Sequence, residues 1–147
     1  MNEHDQALRS FVYSHFIETQ RAPTVVEISC GLALSVQDVE TSLKRLQDLH
    51  VLVLETGSTE IRMAMPFSAV PTRFRVDAAR RSWWANCAWD AFGVLAALHS
   101  DGEVLSACPD CDRPIVVRVE ESKVPHSAEV IHFVVPAAHW WDNIAYT

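Results

Sequence analysis

Apolar residues recur at helical spacing through the first third of the chain. Leu8, Phe11, Val12 and Phe16 fall close to the i, i+3, i+4, i+8 pattern of one buried face and predict a helix over 5–20. Arg21-Ala22-Pro23 ends it. Thr24 followed by Glu27 has the spacing of a capping box and starts a second helix, which buries Val25, Ile28 and Leu32 and has Gly31 near its end. Ser35, with Asp38 in the matching position, starts a third, on which Val39, Leu43, Leu46 and Leu49 keep helical spacing. The period then shortens. Residues 51–54 predict a strand, 55–59 a turn, and 60–65 the returning partner of a hairpin.

Pro66 and Pro71 disfavour helix and push their predecessors toward extended geometry. The stretch 66–71 therefore reads as a linker between a unit at 1–65 and another at 72–147. Beyond it, 72–76 predicts a strand with Phe74 and Val76 facing inward, and 77–81 a turn. A helix is expected over 85–98; Gly93 is a weak point in it, worth about 1 kcal/mol relative to Ala. Residues 103–107 and 115–119 predict two strands joined by a turn at 108–114. A buried strand is expected at 130–135, with His132 opposite Ile131 and Phe133, then a short helix at 137–144 in which Trp140 and Trp141 close the core or a pocket mouth. The fold class is α+β: a winged-helix-like three-helix unit, then a small mixed α/β unit with antiparallel strands.

The 147 residues suffice for one compact domain or two small ones, and 49% apolar with 21% charged is an ordinary soluble composition. No apolar run approaches the roughly 20 residues that span a bilayer. The polar, acidic start Met1-Asn2-Glu3-His4-Asp5 does not read as a signal peptide, and no membrane partner is expected. A winged helix suggests DNA binding. The formal net charge of −7 argues against it, and the third helix carries Gln37, Asp38 and Glu40 in its first turns, with Lys44 and Arg45 late. A structural cap over the second unit is the favoured reading of these helices. Four cysteines, Cys30, Cys87, Cys108 and Cys111, without an export signal suggest reduced thiols in the cytoplasm. Cys30 reads as a packing residue.

Cys87 and Asp90 carry the candidate chemistry. On a helix, i and i+3 share a face, so a soft nucleophile and a proton carrier would meet there, shielded by Trp83, Trp84 and Trp89. Burial would raise the pKa of Asp90 and ready it to donate a proton. The plain alternative is a packed thiol and a capping carboxylate. Cys108-Pro109-Asp110-Cys111 has the spacing of half a zinc knuckle, for which Cys87, His99, His132 or His139 could supply the remaining ligands. A redox pair would instead open a helix.

The segment Trp84-Ala85-Asn86-Cys87-Ala88-Trp89-Asp90 resembles the active-site segment of the organomercurial (alkylmercury) lyases. Pro66-Phe67-Ser68-Ala69-Val70-Pro71-Thr72 resembles that family's entry into its catalytic domain. Val130-Ile131-His132-Phe133-Val134-Val135-Pro136 and Trp140-Trp141-Asp142-Asn143-Ile144 resemble its later strand and turn. The resemblance implies a carbon–mercury lyase with a winged-helix-like N-terminal unit. Cys87 would take mercury, Asp90 would pass a proton to the leaving carbon, and a second thiolate would complete the capture. That thiolate comes from near the family's C-terminus; this sequence reaches Thr147 before a matching cysteine. Either that final segment is missing or another thiol, Cys108 or Cys111, replaces it.

The resemblance also implies an organomercurial substrate, small thiols and a mercuric reductase as partners, mercury(II) as product or bound metal, and no required cofactor. Mercury(II) is soft and prefers sulfur; two thiolates weaken its bond to carbon, and a positioned acid protonates the carbon as that bond breaks. Three readings of the Cys108/Cys111 pair remain open: a structural turn, a share in the mercury site beside Cys87, or a separate zinc site. The competing functions are a non-catalytic cysteine-based metal-binding protein or sensor, and a winged-helix regulator.

Overall fold

Three polar side chains start the three N-terminal helices. In the computed structural model, which describes residues 1–125 and 127–144, Asn2, Thr24 and Ser35 cap α1 (Glu3–Thr19), α2 (Val25–Leu32) and α3 (Val36–Asp48). Each accepts a hydrogen bond from the backbone N–H three residues on, satisfying a donor that the helix leaves open. Leu8, Val12 and Phe16 of α1 meet Ile28 of α2 and Val39, Leu43 and Leu46 of α3 in a fully buried cluster. Leu49, expected on that face, caps the end of α3 and is 52% exposed. Cys30, expected in the packing, is exposed on α2.

The strands form one antiparallel sheet in the order β1-β2-β3-β5-β4-β6-β7. Its members are β1 (Val53–Leu54), β2 (Ile61–Ala64), β3 (Phe67–Ser68), β4 (Phe74–Ala78), β5 (Arg81–Ala85), β6 (Gly102–Ala107) and β7 (Pro114–Val119). Two of them escaped the sequence pattern. The stretch 66–71, expected as a linker, supplies β3, which pairs β2 on one side and β5 on the other. The turn expected over 77–81 shrinks to Ala79 and Arg80, whose φ of +49° and +63° reverse the chain tightly. That frees 81–85 to form β5. Its alternation was hidden because Trp83 and Trp84 are both apolar, yet only Trp83 and Ala85 point into the core.

Helix α4 (Ala88–Leu98) follows β5 and lies on the sheet, with Ala91, Val94 and Leu95 buried. Gly93, a weak point by propensity, is where α4 meets the chain at Pro66: a β-carbon there would stand 3.1 Å from Pro66 Cβ. The strand expected at 130–135 is absent. Those residues are irregular chain that lines a cavity together with residues of β6 and β7, and Val130 and Val134 are each 87% exposed. The expected helix at 137–144 is a 3₁₀ turn, Ala137–Asp142.

Phe16 anchors α1 to the sheet through its ring and its carbonyl. Phe16 stacks on Phe67 of β3 at 5.4 Å between ring centres, and Trp83 Nε1 of β5 donates to the Phe16 carbonyl at 2.8 Å. Another tie holds α1 to α3: Asp5, 1% exposed, accepts from Arg45 Nη2 at 2.8 Å. The Arg45 guanidinium holds the Asp5 carboxyl at about 2, against an ordinary 3.8. A lowered folded-state pKa adds stability that is complete above the unfolded value and is lost as pH falls through the folded one. Asp5→Asn should therefore cost about 1–3 kcal/mol at pH 7, the range for breaking a buried hydrogen bond to a charged group. The difference from wild type should shrink between about pH 4 and pH 2, as read by urea unfolding across that range.

Candidate functional site

The site forms where β5 ends and α4 begins. Ala85 is flanked on both sides, by Phe67 of β3 and Phe74 of β4, so the residues that follow leave the sheet from a fixed point. Thr72 strengthens that point: its Oγ1 donates to the Ala85 carbonyl at 2.6 Å and accepts from the Phe74 N–H at 3.0 Å. Asn86 then Cys87 follow, and α4 starts at Ala88.

Cys87 is the N-cap of α4, with extended backbone at φ −149° and ψ −179°. The expected helix began at 85, which would have put the thiol inside a turn. Here Cys87 takes the role serine or threonine commonly fills: its Sγ accepts from the Asp90 N–H at 3.4 Å. Thiol and carboxyl still converge, through capping geometry.

Asn86 was not singled out from the sequence, yet it orients the acid. Its Nδ2 donates to Asp90 Oδ2 at 3.0 Å and approaches the Phe67 and Pro66 carbonyls at 3.3 and 3.4 Å. Tyr13 of α1 steadies the same segment by donating its hydroxyl to the Met65 carbonyl at 2.9 Å. No sequence spacing marks Asn86, because its partners come from β3 and α4 at once.

The tryptophans differ from expectation. Trp83 is buried against α1, Trp84 is half-buried, and Trp89 is 67% exposed, so they do not form the expected shield around Cys87 and Asp90. The apolar surroundings come from elsewhere. Cys87 opens onto a cavity of about 480 Å³ walled by Phe74, Val104, Ile115, Val117, Phe133 and Trp140, among others. Phe133 packs on Trp140 at 5.0 Å, and Trp140 Nε1 donates to the Val135 carbonyl at 2.8 Å, which fastens the covering segment. His132 also lines this cavity.

Burial governs the electrostatics. It pushes the Cys87 thiol above its ordinary range; the N–H groups of Asp90 and Trp89 oppose this, while the negative charge of Asp90 adds to it. Burial likewise raises the Asp90 carboxyl, against hydrogen bonds from Asn86 and the Cys87 thiol. Burial and the charge of Asp90 both favour the protonated thiol.

Cys108 and Cys111 lie in the turn between β6 and β7, closed by Cys108 N–H to Arg113 O and Asp112 N–H to Cys108 O, both 2.9 Å. Cys111 is exposed and Cys108 half-buried. Neither lines the cavity, although Pro109 between them does. Among the described residues no three His, Cys, Asp or Glu side chains gather to hold a metal, so the pair lacks the further ligands a structural zinc wants. His99 caps the end of α4 and His139 pairs with Asp142 at 3.0 Å.

Removing the charge at position 90 removes a contribution that raises Cys87. In Asp90→Asn, iodoacetamide should alkylate Cys87 faster at neutral pH than in wild type, with the midpoint of the rate–pH curve moved down. Peptide mass spectrometry across pH 6–10, a window of roughly two units either side of a thiol's usual range, reads both.

Comparison with known proteins bears on this site. Curated proteins yield no match. Among solved structures, one described as "Crystal structure of the mercury-bound form of MerB2" superposes with a TM-score of 0.67 at 23% identity, over 87% of this chain and 61% of that one. The likeness shows a shared fold, and this chain spans about three fifths of the length of that relative. The family model described as "MerB: Alkylmercury lyase" matches residues 67–147. That range takes in β3, the Asn86-Cys87-Asp90 junction and the whole cavity wall, and on it the chain belongs to the alkylmercury lyase family.

Proposed function

We propose that this chain cleaves carbon–mercury bonds by protonolysis, releasing a hydrocarbon and leaving mercury(II) on sulfur. The carrying observation is the shared helix N-terminus: the Cys87 sulfur accepts from the Asp90 N–H and lies within hydrogen-bonding reach of the Asp90 carboxyl, and Cys87 lines an apolar cavity large enough for a small organic group. The unit at 72–147 holds that chemistry, and the unit at 1–65 supports it. A cytoplasm rich in reduced thiols suits this reading.

Cys87 attacks the metal of R–Hg⁺, and its proton passes to Asp90, the acceptor it already faces. The N–H groups at the start of α4 stabilise the sulfur as it becomes anionic. A second thiolate, from a small thiol, then binds mercury and pushes electron density onto the carbon. The protonated Asp90 delivers its proton there. The electron pair of the carbon–mercury bond becomes the new carbon–hydrogen bond. Asp90 ends ionised and mercury ends between two sulfurs, so charge and atoms balance. Asn86 holds Asp90 Oδ2, leaving the other oxygen for the proton. Phe74, Val104, Ile115 and Val117 would seat the hydrocarbon part.

Methylmercury with excess small thiol should yield methane, measured in the headspace. Cys87→Ser should give none. Asp90→Asn should lower the rate by about a hundredfold or more, the usual worth of a positioned general acid, while retaining methylmercury on Cys87. A wild-type protein that binds methylmercury and releases no methane would instead be a metal-binding member of the fold.

A further inference from the structure

We infer that Cys108 and Cys111 form a receiving site for mercury(II), a two-thiolate clasp at the rim of the cavity into which Cys87 opens. It rests on the lyase reading for the source of its metal, but not for its ability to hold it.

The geometry of the turn supports the clasp. Two closing backbone hydrogen bonds at 2.9 Å bring the chain back on itself, and the Cys111 thiol comes within hydrogen-bonding reach of the Cys108 sulfur. The N–H groups of Asp110 and Cys111 point at the Cys108 sulfur, so the turn surrounds it with donors. The Arg113 guanidinium senses the charge of both sulfurs. Cys87, by contrast, is raised by burial. The chain therefore sets a thiol that opens onto the cavity at Cys87 apart from a pair on the β6–β7 turn, half-buried at Cys108 and exposed at Cys111.

Coordination number selects the ligand class. Zinc wants four ligands, and among the described residues no third donor joins this pair. A soft ion satisfied by two sulfurs needs only the pair. Position supplies the route. Pro109 lines the same cavity as Cys87, and Arg113 pairs at 3.1 Å with Glu129, which lines it too. The turn is thus part of the cavity's rim, although neither thiol lines the cavity itself.

Transfer needs no oxidant. Cys108 attacks mercury held on Cys87 and a small thiol, and Cys87 departs; Cys111 then displaces the small thiol. Two mercury–sulfur bonds form and two break. The protons of the incoming thiols finish on those that leave. Chelation by one turn makes the last state the favoured one.

The test uses the full chain and mercuric chloride, so no carbon–mercury bond is involved. The double variant Cys30→Ser/Cys87→Ser leaves only the pair. It should retain one mercury per chain during dialysis against millimolar glutathione, and adding Cys111→Ser should weaken retention by about a hundredfold. In wild type with one equivalent of mercury, N-ethylmaleimide should spare Cys108 and Cys111 together and label Cys87. Retention no better than in the triple variant, or protection of Cys87 with both rim thiols labelled, would overturn the clasp. Methane formation persisting beside that result would leave the lyase reading standing; mercury retention without methane would do the reverse.

Discussion

Everything at the site depends on the N-terminus of α4 being held still. Its first turn presents N–H groups that no helical carbonyl can satisfy, and Cys87 sulfur takes one of them. A sulfur in that position is weakly served as a cap and well served as an anion, because the same N–H groups favour negative charge. The sheet fixes where this turn points: β5 lies between β3 and β4, and Ala85 is locked to both. Pro66 against Gly93 then sets how closely α4 approaches. A β-carbon at 93 would require Pro66 or the helix to give by a few tenths of an ångström.

Burial and hydrogen bonding act in opposite senses on the Cys87 thiol and the Asp90 carboxyl, a balance that would suit the shared proton of the proposed mechanism. A fully exposed Asp90 would ionise readily and be a poor donor at neutral pH. A buried one without partners would keep its proton permanently and could not accept another from the thiol. Asn86 on one side and the Cys87 thiol on the other moderate the desolvation without cancelling it. The apolar cavity wall makes each of these interactions count for more than it would in water.

The helices were legible because capping and spacing coincide. Thr24 with Glu27 and Ser35 with Asp38 mark starts that the structure reproduces, and the buried stripe of α1 follows its apolar residues. Two strands were not legible, for different reasons. In β5 an apolar residue occupies the solvent-side position, so Trp83-Trp84 conceals the period of two. In β3 only two residues pair, between prolines that argue for a linker. The segment 130–135 misled in the other direction: its run of apolar residues is real, but it covers a cavity, and no strand partners it. Cys87 and Asp90 were visible as a pair, and their meeting survives although the helix starts three residues later than expected. Asn86 was invisible, since an amide gains its meaning only from what the fold places beside it.

The N-terminal helices are more than a cover. Trp83 sits in β5, the strand that delivers Asn86 and Cys87, and its indole is bonded to the Phe16 carbonyl of α1. Phe67, the other neighbour of Ala85, stacks on the Phe16 ring, and Tyr13 one turn earlier holds Met65, next to the carbonyls that Asn86 contacts. One face of α1 therefore touches both strands that flank the site and the segment behind it. A helix bound to nucleic acid through α3 would leave this face engaged; a chain deprived of α1 would lose the support of β3 and β5 together. α3 carries acidic residues in its first turns, while the contacts of α1 face inward, through Phe16, onto the strands that lead to Cys87 some seventy residues away.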